Sequence, residues 1–582
     1  MDIYRDFCES FGVQFLIHHD QILKIRNHEY NPYINLLRIP FSPRYSSPIL
    51  KAFFKYYKPH ATRESLRYAI SLLQTGDQAM ILRAQKILYK VLSLQNIDPT
   101  SKYYGVWPKY WETSIIRIYQ PDLNWSDFLG SYLLLVSLQH RHQLPYELIN
   151  RVDAAVIVAA RAIQRRNVDL NYTNIAVRGI YVVLVAGETY AIKDLFDYGL
   201  QRLHQIHSST IQHDIFTEYN SPVYGVSTLD ALGRLRLHVK DELAKVWIED
   251  LYWLAWENIA HYFHWPTHQL AGPHSRSYKT QLGPDVLALI EKGTNGQVKF
   301  GLSEPILLAS QPQIPLPCPF DLKPFFLGID KPCTRVKTFL DGTNYRQLTT
   351  YMTPEFTLGS VNYSDLWHQR RSLLAYWGTP EQLGYLRIRF LCDGDDFAPA
   401  QFASIQSEGN VLAGIMFATD VDRHNPYVTY NAGYPLQVKD LRLQFELMGT
   451  LTELSEVTDG LTTLECCVEG IWVQLVMSYA RFGAWVGQWE VTQRGSKIYL
   501  DWVFCKDRGQ SINLAKLGVA AMGMGMSVSK QYKPMPPLKK VFGNGILALS
   551  WGSLLLSFQI CPDRQAVLHQ SVGSSIDSRP VW

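Results

Sequence analysis

Residues 218–225 combine two phenols, a carboxylate and an amide directly before an apolar run: Glu218, Tyr219, Asn220 and Tyr224. A proline inside this segment predicts that a helix starts there, with Asn220 or Ser221 as its cap. Phenols and amides held at the mouth of a fold can transfer protons to and from a sugar-like substrate. We therefore expect a proton-transfer site at this helix start.

Two further polar clusters occur in the first half of the chain. Asn174 opens an apolar helix predicted over residues 175–186, and residues 272–278 contain His274, Arg276 and Tyr278. Asn174, Tyr224 and Arg276 follow one another at nearly equal intervals. This spacing is expected if each helical hairpin contributes one cluster to the same end of a ring.

Aromatic residues are unusually frequent, with 34 Tyr and 15 Trp. Trp107, Trp111 and Trp125 are predicted to bind substrate, because aromatic rings offer an apolar face to sugar rings; core packing is the alternative. In the second half, His368 lies in a basic aromatic run that could reach the same cleft, with a solvated loop as its alternative.

The elements that must position these residues differ between the two halves. Apolar residues recur at three- and four-residue steps over 77–94 and predict a helix there, followed by helices over 152–163, 175–186, 192–206, 226–237 and 242–260. Asn124 and Asp127 resemble a capping box. Amphipathic and apolar helices of similar length favour paired helices packed in a ring or solenoid.

The second half has strand periodicity. Apolar and polar residues alternate, or β-branched and aromatic residues cluster, over 386–390, 441–447, 472–477 and 498–504. Many short strands indicate antiparallel sheets stacked as a sandwich. The predicted fold is thus α+β, with a helical domain over residues 1–295 and an antiparallel β-sandwich domain over 296–582.

Composition excludes several functions. A net charge of +4 without a basic run argues against nucleic-acid binding. The start of the sequence has no secretory pattern, and no apolar run reaches the roughly 18 residues that span a bilayer. We expect a cytoplasmic protein without a membrane contact.

The eight cysteines are scattered and predict free thiols. No metal site and no cofactor motif is expected, and the oligomeric state stays open.

Asn174, Tyr224 and Arg276, in this order and spacing, together with the pair Tyr224-Gly225, resemble the toroid-type polysaccharide lyases. These comprise chondroitin AC and hyaluronate lyases, the heparinase II/III group and related alginate lyases. The resemblance implies an (α/α) helical toroid followed by a β-sandwich, with the site in a cleft of the toroid. One position departs from the pattern, because Tyr219 stands about where those lyases have a histidine. Tyr219 or His274 could replace it, or the uronate chemistry is lost.

The implied activity is β-elimination on a uronate-containing oligosaccharide. Asn174 and Arg276 would neutralise the carboxylate, and Tyr224 would act as base and acid in turn, with His274 or Tyr219 as partner. The remaining predicted binding residues are Glu218, Asn220, Tyr278, His368 and the three tryptophans. Two alternatives stay open: an intracellular biosynthetic enzyme that performs elimination, dehydration or cyclisation on a small molecule, and a non-catalytic carbohydrate-binding protein.

Each site residue also has a structural interpretation. Asn174 would cap its helix, and Tyr224 would be an ordinary half-buried phenol. Arg276 would pair with Glu218 or Glu257, and His274 would be a hydrogen-bonded loop residue.

Overall fold

The computed structural model describes residues 26–41, 48–56, 58–115, 121–304, 307, 313–341, 344–419, 435–456, 462–506, 509–563 and 568–572. The chain divides into two compact units, each built from three segments. The helical unit comprises Met1–Gln212, Val226–Ala255 and Pro284–Cys318, and the strand-rich unit comprises His213–Gly225, Trp256–Gly283 and Pro319–Trp582. Helices thus precede sheets in an α+β layout of two parts.

The α-helices fill most of the described chain up to residue 293. They are α1 Pro48–Phe53, α2 Thr62–Gln74, α3 Gln78–Leu92, α4 Trp125–Gln139, α5 Tyr146–Arg166, α6 Thr173–Thr189, α7 Lys193–His213, α8 Tyr224–His238, α9 Glu242–Tyr262 and α10 Pro284–Gly293. Short 3-10 helices span Trp111–Ile115, Arg141–Gln143, Trp265–Thr267, Phe320–Phe326 and Leu514–Lys516. The predicted helices are confirmed, with ends that differ by up to seven residues.

Two helices form the centre of the helical unit. α6 is buried at every position from residue 173 to residue 187, and α4 is buried along most of its length. α4 packs against α2, α5 and α6. This explains why both helices are apolar on all sides, whereas the peripheral helices α2, α3 and α5 are amphipathic.

The capping box predicted at the start of α4 is wrong. Asn124 precedes the helix, but its side chain accepts no hydrogen bond from the first turn. Its amide donates to the Tyr172 hydroxyl at 3.1 Å and its oxygen accepts from Arg166 at 3.2 Å. Arg166 also pairs with Asp127 at 2.7 Å, and burial raises the pKa of Asp127 to about 6. Both polar side chains are used for contacts between helices.

The strands of the described chain are predominantly in the second half. They are β1 Tyr30–Asn31, β2 Leu36–Arg38, β3 His60–Ala61, β4 Phe263–His264, β5 Gln269–Leu270, β6 Cys333–Asp341, β7 Asn344–Met352, β8 Phe356–Val361, β9 Tyr363–Asp365, β10 Leu373–Gly378, β11 Leu383–Cys392, β12 Asp395–Asp396, β13 Ala400–Ser407, β14 Asn410–Phe417, β15 Leu436–Val438, β16 Leu441–Met448, β17 Leu451–Leu454, β18 Thr463–Val468, β19 Ile471–Phe482, β20 Gln488–Arg494, β21 Lys497–Cys505, β22 Gln510–Ile512, β23 Ala520–Ser529, β24 Lys539–Gly543, β25 Ile546–Trp551, β26 Leu554–Gln559 and β27 Leu568–Val572.

Two large antiparallel sheets dominate the strand-rich unit. Sheet A has the order β20-β21-β16-β11-β10-β8-β7-β6, with β12 paired to β11, and sheet B has the order β17-β18-β19-β23-β14-β13-β9. Buried side chains of both sheets form one hydrophobic cluster, which includes Phe390 and Trp502 of sheet A and Phe402 and Met524 of sheet B. The four predicted strands lie within β11, β16, β19 and β21, and are confirmed.

The face of sheet A opposite this core carries buried charges, because side chains alternate along each strand. Glu446 on β16 accepts hydrogen bonds from Arg387 and Tyr385 at 2.6 Å each and from Lys497 at 3.1 Å. Burial alone would raise the pKa of Glu446, but Arg387, Tyr385 and Lys497 outweigh it and lower the pKa to about 2. The ionised carboxylate thereby links β11, β16 and β21.

The last α-helix ends at Gly293 and the first strand of sheet A begins at Cys333. The domain boundary expected at 295/296 stays a prediction. Each compact unit nevertheless takes three segments of the chain. In the described residues, no helix is both long and apolar enough to cross a membrane. The seven cysteines among the described residues are free thiols, and Cys8 lies outside these residues.

Candidate active site

The start of α8 is fixed by Ser221, which accepts a hydrogen bond from the Tyr224 amide at 3.1 Å. This is a cap bond, so Ser221 rather than Asn220 caps the helix. The same hydroxyl donates to the backbone oxygen of Arg276 at 2.6 Å. Asn220 has a left-handed backbone, with φ at 42°, and its amide donates to the carbonyls of Ala271 and Pro273. Tyr224 is therefore held beside the segment that contains Arg276.

Residues 272–278 are anchored to sheet A. The Gly272 carbonyl accepts a hydrogen bond from the Thr350 hydroxyl at 2.6 Å. A Cβ atom added at Gly359 on β8 would overlap the Gly272 carbonyl, so the two backbones are in direct contact. His274 and Arg371 exchange backbone hydrogen bonds of 3.1 Å. These contacts fix the path of the chain up to Arg276.

Backbone hydrogen bonds also join this segment to its neighbours on both sides. The Ser275 amide and hydroxyl donate to the Tyr219 carbonyl at 3.2 and 2.7 Å. The Ser277 amide donates to the Gln369 carbonyl at 2.7 Å. Residues 218–224, 274–278 and 367–371, which are distant in sequence, thus come together within the strand-rich unit.

Arg276 lies at the centre of this group. Its Nη1 donates to Glu218 at 2.8 Å, its Nε donates to the side chain of Gln369 at 3.1 Å, and its Nη2 donates to the Tyr224 hydroxyl at 3.1 Å. The guanidinium carbon lies 4.2 Å from the centroid of the Tyr224 ring and 5.6 Å from that of Trp367. We call Glu218, Tyr224, Arg276, Tyr278, Trp367 and Gln369 the Arg276 cluster.

Tyr224 makes a second short contact, because its hydroxyl donates to the Tyr278 hydroxyl at 2.8 Å. Both phenols are half-buried. A guanidinium that donates to a phenol oxygen favours the deprotonated form of that phenol. A second hydroxyl within hydrogen-bond distance offers the proton a neighbouring acceptor. Tyr224 therefore has the surroundings that a proton-transfer residue requires.

The charge of Arg276 is balanced inside the cluster. The side chains of Glu218 and Arg276 are 6% and 17% exposed, and they form a salt bridge of 2.8 Å. Of the two partners expected for Arg276, Glu218 and Glu257, the structure shows Glu218. Glu257 instead lies 3.7 Å from His261. The guanidinium thus donates hydrogen bonds on three sides, to Glu218, Gln369 and Tyr224.

His274 is almost completely buried, and its Nε2 lies 2.9 Å from the carbonyl oxygen of Leu270. Burial, together with the nearby charge of Arg371, lowers the pKa of His274 to about 3. An imidazole with this pKa is neutral at neutral pH; its one N–H, at Nε2, donates to the Leu270 carbonyl, so the ring is not an imidazolium acid. His274 is thus a buried loop residue whose side chain is hydrogen-bonded to the backbone.

Tyr219 belongs to the hydrophobic core of the strand-rich unit, with its ring centroid 5.7 Å from that of Phe339. Its carbonyl, by contrast, accepts hydrogen bonds from the amide and hydroxyl of Ser275.

His368 is half-buried and packs edge-on against Trp367, with ring centroids 4.8 Å apart. Glu218 and Tyr278 contact Arg276 and Tyr224 directly, whereas Asn220 is engaged with backbone carbonyls.

The other predicted site residues belong to the helical unit. Asn174 is the second residue of α6 and is 1% exposed, so it lies inside the first turn and is not the cap. Trp107 is fully buried, and its indole donates to the Val91 carbonyl at 3.0 Å. Trp125 is buried, and Trp111 is half-buried with its ring 5.9 Å from that of His60.

Trp367 and Gln369 lie in the run with His368 that the sequence suggests could reach the cleft, but the sequence does not indicate their contacts with Arg276. Those contacts join residues that are far apart in the chain. Within the described ranges, no group of three or more His, Cys, Asp or Glu side chains is arranged to hold a metal ion.

Comparisons with known proteins give the following matches. A family model described as a domain of unknown function, DUF8769, matches residues 48–291. A crystal structure of heparinase III is 9% identical and covers 90% of this chain and 85% of its own, with a TM-score of 0.45. A chondroitin AC lyase of Streptomyces coelicolor A3, in complex with chondroitin sulphate, is 12% identical and covers 95% and 85%, with a TM-score of 0.47.

A second heparinase III structure, with methylated lysines, is 9% identical and covers 91% of each chain, with a TM-score of 0.36. No curated protein sequence matches the chain. These enzymes belong to two of the lyase groups that the sequence motifs resemble.

Proposed function

We propose that the protein is a lyase-like enzyme that catalyses acid/base β-elimination on a uronate-containing oligosaccharide. The proposal is carried by one observation: the Tyr224 hydroxyl lies 3.1 Å from Arg276 Nη2 and 2.8 Å from the Tyr278 hydroxyl. A phenol that must give up and regain a proton near neutral pH needs a cation beside it, because an unperturbed tyrosine has a pKa of about 10.

In the proposed reaction, the Tyr224 phenolate removes the proton from the carbon next to the substrate carboxylate. The electron pair of that bond forms a carbon–carbon double bond, and the bond to the leaving glycosidic oxygen breaks. Tyr224, now protonated, donates this proton to the leaving oxygen, which restores the phenolate. General acid–base catalysis of this kind contributes on the order of 100- to 10,000-fold.

The other residues have supporting roles in this proposal. Arg276 stabilises the phenolate, and Glu218 with Gln369 keeps the guanidinium in place. Asn174 belongs to the helical unit, and its predicted role as amide donor to the carboxylate stays a prediction from the sequence. Tyr278 and His368 contact the sugar. For the architecture, we propose that the helical unit is an (α/α) toroid and that sheets A and B form a β-sandwich.

An absorbance assay for unsaturated uronate tests the reaction directly. Wild-type protein is incubated with a panel of uronate oligosaccharides, in parallel with Tyr224→Phe and with Tyr351→Phe. Tyr351 is a half-buried phenol in the same unit whose ring packs against Phe356. We expect product from wild type and Tyr351→Phe and at least a 100-fold lower rate from Tyr224→Phe. The absence of product from every oligosaccharide would refute the proposal.

The salt bridge between Glu218 and Arg276 favours a second candidate, since a cluster without net charge also suits a substrate that is not anionic at this point. In this candidate the same phenol performs elimination, dehydration or cyclisation on a small biosynthetic intermediate inside the cell. Comparison of metabolites in a deletion strain tests it, and accumulation of an unprocessed hydroxylated precursor is expected. A non-catalytic carbohydrate-binding protein would instead bind sugar equally well after Tyr224→Phe and form no product.

A further inference from the structure

A buried arginine without a salt bridge lies beside the face of sheet A that carries Glu446. Arg371 is 3% exposed, and none of the described residues forms a salt bridge with it. Its Nη1 donates to the carbonyls of His368 and Arg370 at 3.0 and 2.8 Å. Its Nε is buried and has no hydrogen-bond partner among the described residues. The guanidinium is thus held by backbone carbonyls, and its Nε–H stays unused.

Other cations act on Arg371. Arg387 on β11 is 9% exposed; its Nη2 donates to Glu446 at 2.6 Å, but its Nε is also buried without a described partner. Burial and the charges of Arg387 and Arg389 lower the pKa of Arg371 to about 10, so the side chain remains charged at neutral pH. Asp396 acts in the opposite direction, but its two oxygens accept hydrogen bonds from Arg389 at 2.7 and 2.8 Å. Glu446 and Asp396 are therefore both bound to cations other than Arg371.

This arrangement favours an anion. A buried guanidinium has lost its water and needs an ion pair in return, and a second cation nearby adds repulsion. An anion in contact with both Nε–H groups removes the repulsion and gives each donor an acceptor through charge-assisted hydrogen bonds. Because Arg371 and Arg387 are each more than nine-tenths buried, the space between them suits a monatomic anion better than phosphate, sulfate or a carboxylate.

We propose that a chloride ion binds between Arg371 and Arg387, with the Nε–H of each arginine as its donor. The ion carries a single charge and uses donors that the protein does not, so the salt bridge of Arg387 with Glu446 stays in place. It joins the segment before β10 to β11, inside the strand-rich unit.

The same ion stabilises the candidate active site. Arg371 exchanges backbone hydrogen bonds with His274, and its side chain holds the carbonyls of residues 368 and 370. Between these two residues stands Gln369, which accepts a hydrogen bond from Arg276. Chloride therefore fixes two of the three segments that form the Arg276 cluster, whatever reaction the cluster performs. Its binding does not require the proposed elimination.

Thermal unfolding in sodium chloride and in sodium gluconate, at equal ionic strength, tests this site. Equal ionic strength removes differences in the general screening of surface charges, and gluconate is too large to bind between buried side chains. Wild type, Arg371→Met and Arg335→Met are compared. Arg335 on β6 is the matched control, because its Nε is also buried without a described partner, but Glu257 lies within its electrostatic range.

The Tm of wild type is expected to rise by about 2 °C for each tenfold increase in chloride above the dissociation constant, since stabilisation grows with the logarithm of ligand concentration. Arg335→Met should show the same rise, and Arg371→Met should show none. Hydrogen exchange should be slower in chloride at the amides of residues 274–277 and 370–371, and unchanged in β25 and β26. Equal Tm in both salts, an equal chloride response in Arg371→Met, or exchange rates that do not differ between the salts would overturn the proposal.

Crystals of wild-type protein grown in bromide provide a test that does not depend on how the variants fold. Bromide replaces chloride and is located by its anomalous scattering. A peak within hydrogen-bond distance of the Nε atoms of Arg371 and Arg387 is expected. A water molecule at this place, or bromide at surface positions only, would contradict the proposal. Formation of unsaturated uronate plays no part in these measurements, so the chloride site and the elimination are tested separately.

Discussion

Replacement of Glu218 by glutamine removes the counter-charge of Arg276 while it keeps the size of the side chain. Both partners are buried, with exposed side-chain fractions of 6% and 17%. Breaking a buried ion pair from one side costs about 3–5 kcal/mol, because the remaining charge is left without compensation. Arg276 keeps its contacts to Gln369 and Tyr224 and some access to water. We therefore expect a loss near the lower limit, about 3 kcal/mol.

Thermal unfolding followed by circular dichroism or calorimetry measures this loss. For domains of 150–250 residues, 1 kcal/mol lowers Tm by about 2–4 °C, and larger domains shift less. Because the strand-rich unit is larger than this, a decrease of about 5 °C is expected for Glu218→Gln in the transition that includes it. Glu490→Gln is the control, because Glu490 pairs with Lys506, whose side chain is 50% exposed. Such a surface pair contributes less than about 1 kcal/mol.

The double variant Glu218→Gln/Arg276→Met adds a second comparison. It removes the uncompensated charge, so it should recover part of the stability that the single variant loses. If Glu218→Gln unfolds within 1 °C of wild type, or if the double variant is less stable than the single one, the pair does not balance charge in the way described.

Three further outcomes follow from the packing and the charges. Gly359→Ala forces a methyl group into the backbone of Gly272 and should cost at least about 3 kcal/mol in chemical denaturation, whereas Gly518→Ala, with no atom within 4 Å of the new methyl group, should cost little. The folded-state pKa of Glu446, about 2, lies below its ordinary value of 4.5, so stability should be lost as pH falls from 4.5 towards 2. Glu446→Gln should lose less over the same range, as measured by urea midpoints. The NMR signals of the His274 ring should not shift between pH 8 and 5, since its pKa is about 3; titration near pH 6.5 would contradict its burial.

Much of the fold could be predicted from the sequence, because periodicity reports burial directly. α6 is apolar on all sides and is buried all round, and β16 alternates because one face meets the core and the other carries Glu446. The composition of the compact units could not be predicted. Residues 213–225 and 256–283 stand among helices in the sequence yet belong with the sheets, through contacts between distant segments.

The site could be predicted only in part, because some of its contacts also join distant segments of the chain. Polar residues before a predicted helix drew attention to Tyr224 and Glu218, and the order of motifs drew attention to Arg276. Gln369 joins them through a backbone contact with Ser277, which no local pattern reveals. Burial of an individual polar side chain is also invisible in the sequence, and His274 is the example: its type suggests acid–base chemistry, but its surroundings keep it neutral.

The rate of unsaturated-uronate formation by Tyr224→Phe, set beside that of Tyr219→Phe, tests the central claim most directly. The two phenols are five residues apart, yet one contacts Arg276 and the other packs in the core. If Tyr224 transfers the proton, Tyr224→Phe should lose at least about 100-fold in rate and Tyr219→Phe should stay close to wild type. Full activity in Tyr224→Phe, or an equal loss in Tyr219→Phe with its fold intact, would contradict the account.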